Sequence, residues 1–301
     1  MRLNQIRFFL AAVETGSIRA AARKLGVSSP AITKGLRQLE QELHVGLVER
    51  TRHGVVATPA GRAFVTRARV VQSELRKAEE EFAQFAGGQA GSVTFASGPT
   101  AMILIVPEAL TLFRRQCPDA RVRIVEGMGP AMLPLVRDET LDFAMVFRPE
   151  GKLESGLRFR PLFRDDFVIA ARKGHPLRNE GSLARLVDAP WLTFSARDPG
   201  WVKLGEAFSS AGLPAPRSMT ECEQFNSMIT LLAQTDMLAP IARGLLASPF
   251  ARDALQQIPV VERMTPATRG IVTRADAPLT RVASAMVKAL TAVAREFARR
   301  E

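Results

Sequence analysis

Six residues of the segment 28–43 share one helical face, which carries small side chains and hydrogen-bond donors. At 100° per residue, the face opens with small residues and continues with hydrogen-bond donors: Pro30, Ala31, Lys34, Arg37, Gln38 and Gln41. The face carries no acidic residue. Because Lys, Arg and Gln side chains donate to phosphates and to base edges, the face suits the major groove of duplex DNA. A three-helix bundle with an ordinary polar outer face is the alternative explanation of the same pattern.

Two arginines lie in a hairpin predicted directly after this helix. Residues 47–50 and 55–57 are predicted as short strands around a turn at 51–54 that ends in glycine. Arg50 and Arg52, at the tip, would reach phosphates or the minor groove of a bound duplex. Plain solvent exposure is the alternative role for both side chains.

The charge distribution also points to the N-terminal region. The chain has 301 residues and a formal net charge of +11, from 41 Lys or Arg and 30 Asp or Glu. Residues 1–70 hold twelve of the basic and four of the acidic side chains, a net of +8. Clustered basic residues bind polyanions by releasing counterions, so this concentration favours nucleic acid over a generally solvated surface.

Composition excludes several other classes of protein. With 47% hydrophobic and 24% charged residues, the chain can bury a core, and its length favours two domains. Two cysteines, Cys117 and Cys222, cannot form a disulfide framework, and no Cys/His cluster has zinc-ligand spacing. The apolar stretch 8–13 is too short for a signal peptide, and no apolar run approaches about 18 residues. We therefore expect a soluble, cytoplasmic protein without a metal or another cofactor.

Three short helices are predicted to position the basic face. Apolar residues recur at helical spacing from Leu3 to Val13, and a second helix spans 18–25 between Ser17 and Gly26. Ser28 is predicted to cap the third helix, which has Pro30 in its first turn. This third helix turns an apolar stripe inward, formed by Ile32, Leu36, Leu39 and Leu43. The last two helices, joined by a tight turn, predict a helix-turn-helix.

A long helix is predicted from Pro59 to about Ala86, ended by two glycines. Apolar residues recur in it in alternating steps of four and three: Phe64, Ala68, Val71, Leu75, Ala78, Phe82 and Phe85. A period of 3.5 residues is typical of a coiled-coil seam, so the helix is predicted to pair with a second copy of the chain. Packing against the helix's own domain is the alternative.

After residue 91, strands alternate with helices, which predicts a parallel sheet with crossover helices. The predicted strands are 92–95, 121–125, 141–147, 167–171, 192–195, 219–223, 258–261 and 270–273. The predicted helices are 102–117, 131–139 and 279–299.

Ligands of open α/β sheets bind beyond the carboxyl ends of the strands. Ser97 and Thr100 lie there, between the first strand and its helix, and their hydroxyls would help bind an anion or simply cap the helix. The other strand ends supply the remaining candidate wall residues: Met128, Phe147, Arg148, Ser195, Arg197 and Phe225. Arg148 and Arg197 would pair with an acidic ligand, although each is also a typical surface arginine.

Catalysis finds little support in the sequence, and no catalytic residue is predicted. Asp165 and Asp166 are adjacent on a predicted strand and point to opposite faces, so they cannot flank one substrate. The glycine pair at 127 and 129 lacks the third glycine of a dinucleotide fingerprint. The three histidines are isolated and are interpreted as surface or packing residues: His44, His53 and His175.

The sequence resembles the LysR-type transcriptional regulators, which are bacterial winged-helix proteins that bind DNA and a small effector. The resemblance rests on five blocks in order and at the right spacing: Phe8-Phe9-Leu10-Ala11-Ala12-Val13-Glu14-Thr15-Gly16-Ser17, Ala20-Ala21-Ala22-Arg23-Lys24-Leu25, Ser28-Ser29-Pro30-Ala31-Ile32-Thr33, Leu36-Arg37-Gln38-Leu39-Glu40 and Thr58-Pro59-Ala60-Gly61. It implies DNA contacts by Ser29, Pro30, Thr33, Lys34 and Arg37 of the third helix and by Arg50 and Arg52 of the wing. The family's usual glutamine is Ser29 here, which reaches a base edge less far.

The resemblance also implies an architecture. An N-terminal all-α winged helix-turn-helix (1–58) and a long linker helix (59–88) would precede an α/β effector region (91–301). That region would hold two Rossmann-like subdomains resembling periplasmic binding proteins, subdomain I at about 91–161 and 268–301 and subdomain II at about 162–267. Members form homodimers or homotetramers. The stretch 119–147 resembles regulators of aromatic-acid or aromatic-sulfonate breakdown, which implies a small anionic aromatic effector.

Two other function classes stay open at the level of sequence. One is a ligand-binding or catalytic α/β protein whose basic N-terminal unit serves only to oligomerise, and the other is an architectural DNA binder without an effector. Turnover of a metabolite, or stabilisation of the C-terminal region by one class of compound, would separate them.

Overall fold

The computed structural model describes residues 1–52, 54–85 and 91–300. The chain divides into two compact units, one comprising Met1–Gly91 and Pro134–Asp142 and the other Ser92–Leu133 and Phe143–Glu301. Three predicted features, the turn residue His53, the Phe85 side chain and the glycines of the predicted break at 87–88, lie outside the described part.

The first unit begins with the three predicted helices, α1 (Leu3–Thr15), α2 (Ile18–Leu25) and α3 (Ser29–Leu43). Their predicted caps are confirmed: Ser17 Oγ accepts from the amide of Ala20 and Ser28 Oγ from that of Ala31. Gly26 follows α2 with φ +65°, a conformation that favours glycine. The helices share one core, whose buried members include Ile6, Phe9, Leu10, Ile32, Leu36 and Leu39.

A hairpin follows, with strands β1 (Val48–Thr51) and β2 (Gly54–Ala57) paired antiparallel. The carboxylate of Glu40 on α3 accepts from the backbone amides of Leu47 (2.7 Å) and Val48 (3.0 Å), which ties the hairpin to the helix. Gly54, with φ +126°, approaches the Gly16 carbonyl so closely that a Cβ would lie 2.2 Å from the oxygen. Glycine is therefore required at this turn.

The long helix α4 spans Pro59–Phe85. Phe64 packs edge-on against Phe9, with ring centroids 5.2 Å apart, and Ala68 is buried beside the same core. The prediction that the whole seam faces a partner is wrong for these two positions, because they lie in the turns nearest the helical core of their own chain.

Further along α4, ion pairs connect the helix to the segment Pro134–Asp142 of the same unit. Lys77 Nζ lies 2.7 Å from the Glu139 carboxylate, whose side chain is only 3% exposed, and 2.8 Å from Glu74. Arg76 pairs with Asp142 at 3.4 Å. The two glutamates outweigh the effect of burial and raise the pKa of Lys77, so its ammonium is charged at neutral pH.

The second unit contains a five-stranded sheet of order β4-β3-β5-β12-β6. Strand β3 is parallel to β4 and β5, whereas β12 is antiparallel to both of its neighbours. From residue 92 the elements, in chain order, are β3 (Ser92–Ser97), α5 (Pro99–Leu104), α6 (Val106–Gln116), β4 (Arg121–Glu126), α7 (Gly129–Arg137) and β5 (Phe143–Phe147); the end of α7, from Pro134, belongs to the first unit.

The single helix predicted at 102–117 is wrong, because the chain breaks at Ile105 between α5 and α6. Pro107 has no amide proton for a bond to Ile103, and its ring would clash with that carbonyl, so one helix cannot pass through both.

The remaining elements form a second group of short strands and helices, and the chain then returns to the five-stranded sheet. They are β6 (Leu157–Asp165), β7 (Phe167–Arg172), a 3-10 turn (Leu183–Leu186), β8 (Pro190–Thr193), α8 (Pro199–Ser210), β9 (Ser218–Glu221), α9 (Phe225–Gln234), β10 (Ala239–Ala242), α10 (Arg243–Ala247), β11 (Leu255–Gln257), β12 (Ala267–Arg274) and α11 (Arg281–Arg300). Strand β7 lies between β10 and β11, and β8 pairs with β9.

Adjacent strands β6 and β12 carry the chain out of the five-stranded sheet and back into it. The predicted strand 258–261 is wrong: the strand is β11, which ends at Gln257, because Pro259 cannot donate to a ladder.

Of the helices in the described ranges, none combines the length and the apolar character needed to cross a bilayer.

Candidate nucleic-acid interface and ligand cleft

The outward face of α3 is open to solvent. Lys34 and Arg37 are exposed, as are Pro30, Gln38 and Gln41, whereas Ser29 and Thr33 are half-buried. All seven residues line one shallow depression. The sequence-predicted contact residues of this helix therefore lie together on an accessible surface.

The orientation of α3 follows from its opposite side. Ile32, Leu36 and Leu39 are fully buried, and Gly35 lies so close to Phe8 that a Cβ would come within 2.5 Å of the ring. This close packing fixes the rotation of α3 and leaves its basic residues on the outside.

Both predicted wing arginines, Arg50 and Arg52, are exposed, and Arg50 lies beside this face. Arg50 Nη2 is 3.4 Å from Thr33 Oγ1, a contact that connects the hairpin to α3. The acidic side chains of the three helices have partners of their own: Glu14 pairs with Lys24 at 2.7 Å, Glu42 pairs with the N-terminal ammonium, and Glu40 accepts the two hairpin amides. The positive potential of the face is thus not cancelled by these carboxylates.

A cleft of about 1080 Å³ lies in the second unit, beyond the carboxyl ends of β3 and β5 and beside the start of α8. Seven of the eight predicted ligand residues line it: Thr100, Met128, Phe147, Arg148, Ser195, Arg197 and Phe225. Ser97 does not reach the wall, because it is fully buried and its hydroxyl donates to the Gly98 carbonyl at 3.3 Å. Neither Ser97 nor Thr100 caps α5, whose N-cap is Gly98 without a side-chain bond.

A buried ion pair lies at the base of the cleft. Arg269 on β12 is 1% exposed, and its Nε donates to Oδ2 of Asp165, at the end of β6, over 2.7 Å. The Arg269 guanidinium also lies 3.9 Å from the centroid of the Phe147 ring. The pair therefore joins the two crossing strands where they meet the cleft.

Asp198 is another charged residue of the cleft that was not predicted from the sequence. It caps α8, accepting from the amides of Gly200 at 2.9 Å and Trp201 at 3.4 Å, and it lines the cleft. Burial of its carboxylate raises the pKa of Asp198 to about 6, although both amides and the Arg269 charge act in the opposite direction.

Two family models together match most of the chain. Residues 3–62 match a bacterial regulatory helix-turn-helix protein of the lysR family, and residues 86–295 match the LysR substrate binding domain. The chain belongs to the LysR family. It is a LysR-type transcriptional regulator, with a DNA-binding helix-turn-helix and an effector-binding domain, as the sequence blocks predicted.

Curated relatives of this LysR-family chain are named as transcriptional regulators, not enzymes. The HTH-type transcriptional regulator GbpR of Azospirillum brasilense is 27% identical over 303 residues, covering 100% of this chain and 89% of the relative. The regulator GalR of Pseudomonas putida is 29% identical over 296 residues, covering 98% and 74%.

Solved structures share the fold of this regulator. A full-length variant of OxyR from Pseudomonas aeruginosa has a TM-score of 0.73 at 21% identity, covering 96% of this chain and 94% of that one. Full-length CbnR, solved in complex with its target DNA, has a TM-score of 0.68 at 19% identity, covering 97% and 100%.

Asp198 and Arg269, two cleft residues that were not predicted from the sequence, differ in the strength of their sequence signals. Asp198 precedes Pro199 at the start of a helix, which is a recognisable N-cap signal. Arg269 carries no such signal, since its partner Asp165 is 104 residues away in the chain.

Proposed function

We propose that this regulator binds promoter DNA by placing the outward face of α3 in a major groove, with Arg50 and Arg52 on the flanking backbone or minor groove. The observation that carries the proposal is the exposure of Lys34 and Arg37 on a face without acidic residues. Groove entry by a helix N-terminal half needs small side chains there, and Ser29 and Pro30 supply them. The protein would act in the cytoplasm, where its DNA lies.

We further propose that α4 pairs with the α4 helix of a second copy. Beyond Ala68, the seam positions Val71, Leu75 and Phe82 are 44%, 37% and 71% exposed, which is unusual for large apolar side chains at regular spacing. A partner helix would cover these side chains. A dimer, or a tetramer built from dimers, would present two α3 faces to one DNA site.

The cleft is proposed to bind the effector, a small anionic aromatic molecule. Support comes from its aromatic walls, Phe147, Phe194 and Phe225, and from its arginines. For the effector to switch DNA binding, its affinity must differ between two arrangements of the effector region. Strands β6 and β12, which cross between the two groups of strands, supply the connection that such a rearrangement would bend.

The DNA proposal is tested by fluorescence anisotropy of a duplex from the gene's own upstream region, titrated with the full chain at several salt concentrations. We expect Arg37→Ala to weaken binding at least fivefold and to lower the slope of log affinity against log salt by about one. The matched control is Arg295→Ala, an exposed arginine of α11, which should change neither quantity. Equal affinity of wild type and Arg37→Ala would place the DNA on another surface.

A further inference from the structure

We infer that Arg269 is the anchor for the negatively charged group of the effector, a carboxylate or sulfonate, which it binds through Nη1. This inference rests on the proposed role of the cleft and names a residue that determines which ligands the cleft accepts.

The Arg269 guanidinium is incompletely paired. Its Nε donates to Asp165 Oδ2, and Nη2 lies 2.7 Å from the same oxygen. Among the described residues, neither Nη1 nor Nη2 has a hydrogen-bond partner, although the side chain is 1% exposed; Nη2 at least lies against the Asp165 carboxylate, whereas Nη1 has no acceptor beside it. Buried donors are almost always paired, because an unpaired one loses its bonds to water without replacement. Asp165 thus lies beside Nε and Nη2, and Nη1 is the nitrogen left without an acceptor.

Nη1 lies beside a residue of the cleft wall. Arg269 and Gly98 both line the cleft, and a Cβ on Gly98 would lie 3.5 Å from Nη1. Because Gly98 has no side chain, only its backbone separates the nitrogen from the cleft on this side. The Phe147 ring covers the guanidinium on another side, at 3.9 Å, and also lines the cleft. A ligand with an anionic group at Nη1 would therefore lay its apolar body along Phe147.

The other cations of the cleft are less suited to this role. The Arg148 guanidinium lies over the Phe159 ring at 4.8 Å, and Arg197 and Lys152 are exposed. Lys203 is paired with both oxygens of Glu206 at 2.9 Å. A guanidinium screened from water binds an anion more strongly than one at the surface and discriminates more sharply against neutral analogues. Arg269 meets that condition, whereas Arg148 and Arg197, the arginines predicted from sequence, are poorer anchors.

The experiment uses matched pairs of probes: benzoate with benzamide, and benzenesulfonate with benzenesulfonamide, plus inorganic phosphate. Binding to the full-length chain is measured by thermal shift and by calorimetry. We expect at least one of the two organic anions to bind at least tenfold more tightly than its neutral partner, and more tightly than phosphate, which lacks an apolar body.

Two variants then locate the anion. Gly98→Ala keeps an ordinary backbone conformation and places a methyl group beside Nη1, and Arg269→Gln removes the charge. Both should weaken binding of the anion at least tenfold and leave the neutral probe within twofold. Arg274→Gln, the same change on the same strand at a residue paired with Asp276 outside the cleft, is the control and should bind like wild type. If Arg269→Gln fails to fold because Asp165 loses its partner, Gly98→Ala decides.

The outcomes separate this inference from the function on which it rests. Neutral and anionic probes binding equally, or anions binding equally to wild type and Gly98→Ala, would overturn the anchor while leaving a ligand cleft. Absence of anion binding to wild type would also overturn it. DNA binding, measured on the same preparations, reports separately whether the regulator itself is active.

Discussion

The Asp198 carboxylate should make the stability of the regulator depend on pH in a direction opposite to that of most carboxylates. In the folded chain, burial raises its pKa from 3.8 to about 6, so the folded state binds the proton more tightly than the unfolded state does. The stability that this group contributes is present below about pH 4 and is lost as the pH rises through about 6. Above that range, folding must hold an ionised carboxylate where water reaches it poorly.

Replacing Asp198 with asparagine isolates this contribution. Asparagine is as good an N-cap as aspartate, so the bonds to Gly200 and Trp201 need not be lost. A shift of about two pKa units corresponds to roughly 3 kcal/mol at about 1.4 kcal/mol per unit. Because the side chain is only half-buried, we expect the ionised carboxylate to lower the free energy of unfolding by about 1–3 kcal/mol.

The assay is urea unfolding of wild type and Asp198→Asn between pH 4 and pH 8. The free energy of unfolding of the variant should gain about 1–3 kcal/mol over wild type across this range, with most of the change between pH 4.5 and 6.5. Asp119→Asn, at an exposed position, corrects for the loss of one negative charge. A difference between Asp198→Asn and wild type that stays constant with pH, or that shrinks as pH rises, would refute the reasoning.

Two further predictions concern α4. Lys77→Met leaves the Glu139 carboxylate buried without its closest cation, so the free energy of unfolding should fall by about 2 kcal/mol, and the double variant Lys77→Met/Glu139→Gln should recover part of the loss in the same urea titration. Leu75→Glu and Phe82→Glu add like charges to the exposed seam, and light scattering should show dissociation to smaller species at micromolar concentration, whereas Glu79→Gln, at an exposed α4 position outside the seam, should keep the wild-type mass. Unchanged assembly of both seam variants would assign oligomerisation to another surface.

The N-terminal helices could be predicted from sequence because their signals are local. Ser17 and Ser28 cap, Gly26 ends α2, and the apolar stripe of α3 lies within one element. The seam of α4 was predicted from periodicity alone, which cannot distinguish a partner helix from the chain's own core. Phe64 and Ala68 are covered by that core, so only the later seam positions remain for a partner.

The cleft could be predicted only in part, for a physical reason. Strand ends placed Thr100, Phe147 and Arg148 correctly, because a parallel sheet brings its carboxyl ends to one edge. The Arg269–Asp165 pair depends on β12 returning to lie beside β6, a long-range pairing that no local pattern encodes. Because this pair is buried, we expect it to affect ligand binding more than the exposed charges of the cleft do.

Lysine labelling of the full chain, with and without duplex DNA from its upstream region, tests the central claim most directly. Lys34 on α3 and Lys288 on α11 are both exposed, and an amine-reactive reagent read by mass spectrometry reports each of them separately. If the outward face of α3 lies in a groove, saturating duplex should slow the labelling of Lys34 at least fivefold and leave Lys288 unchanged. Labelling of Lys34 at the same rate in a fully formed complex would contradict the account.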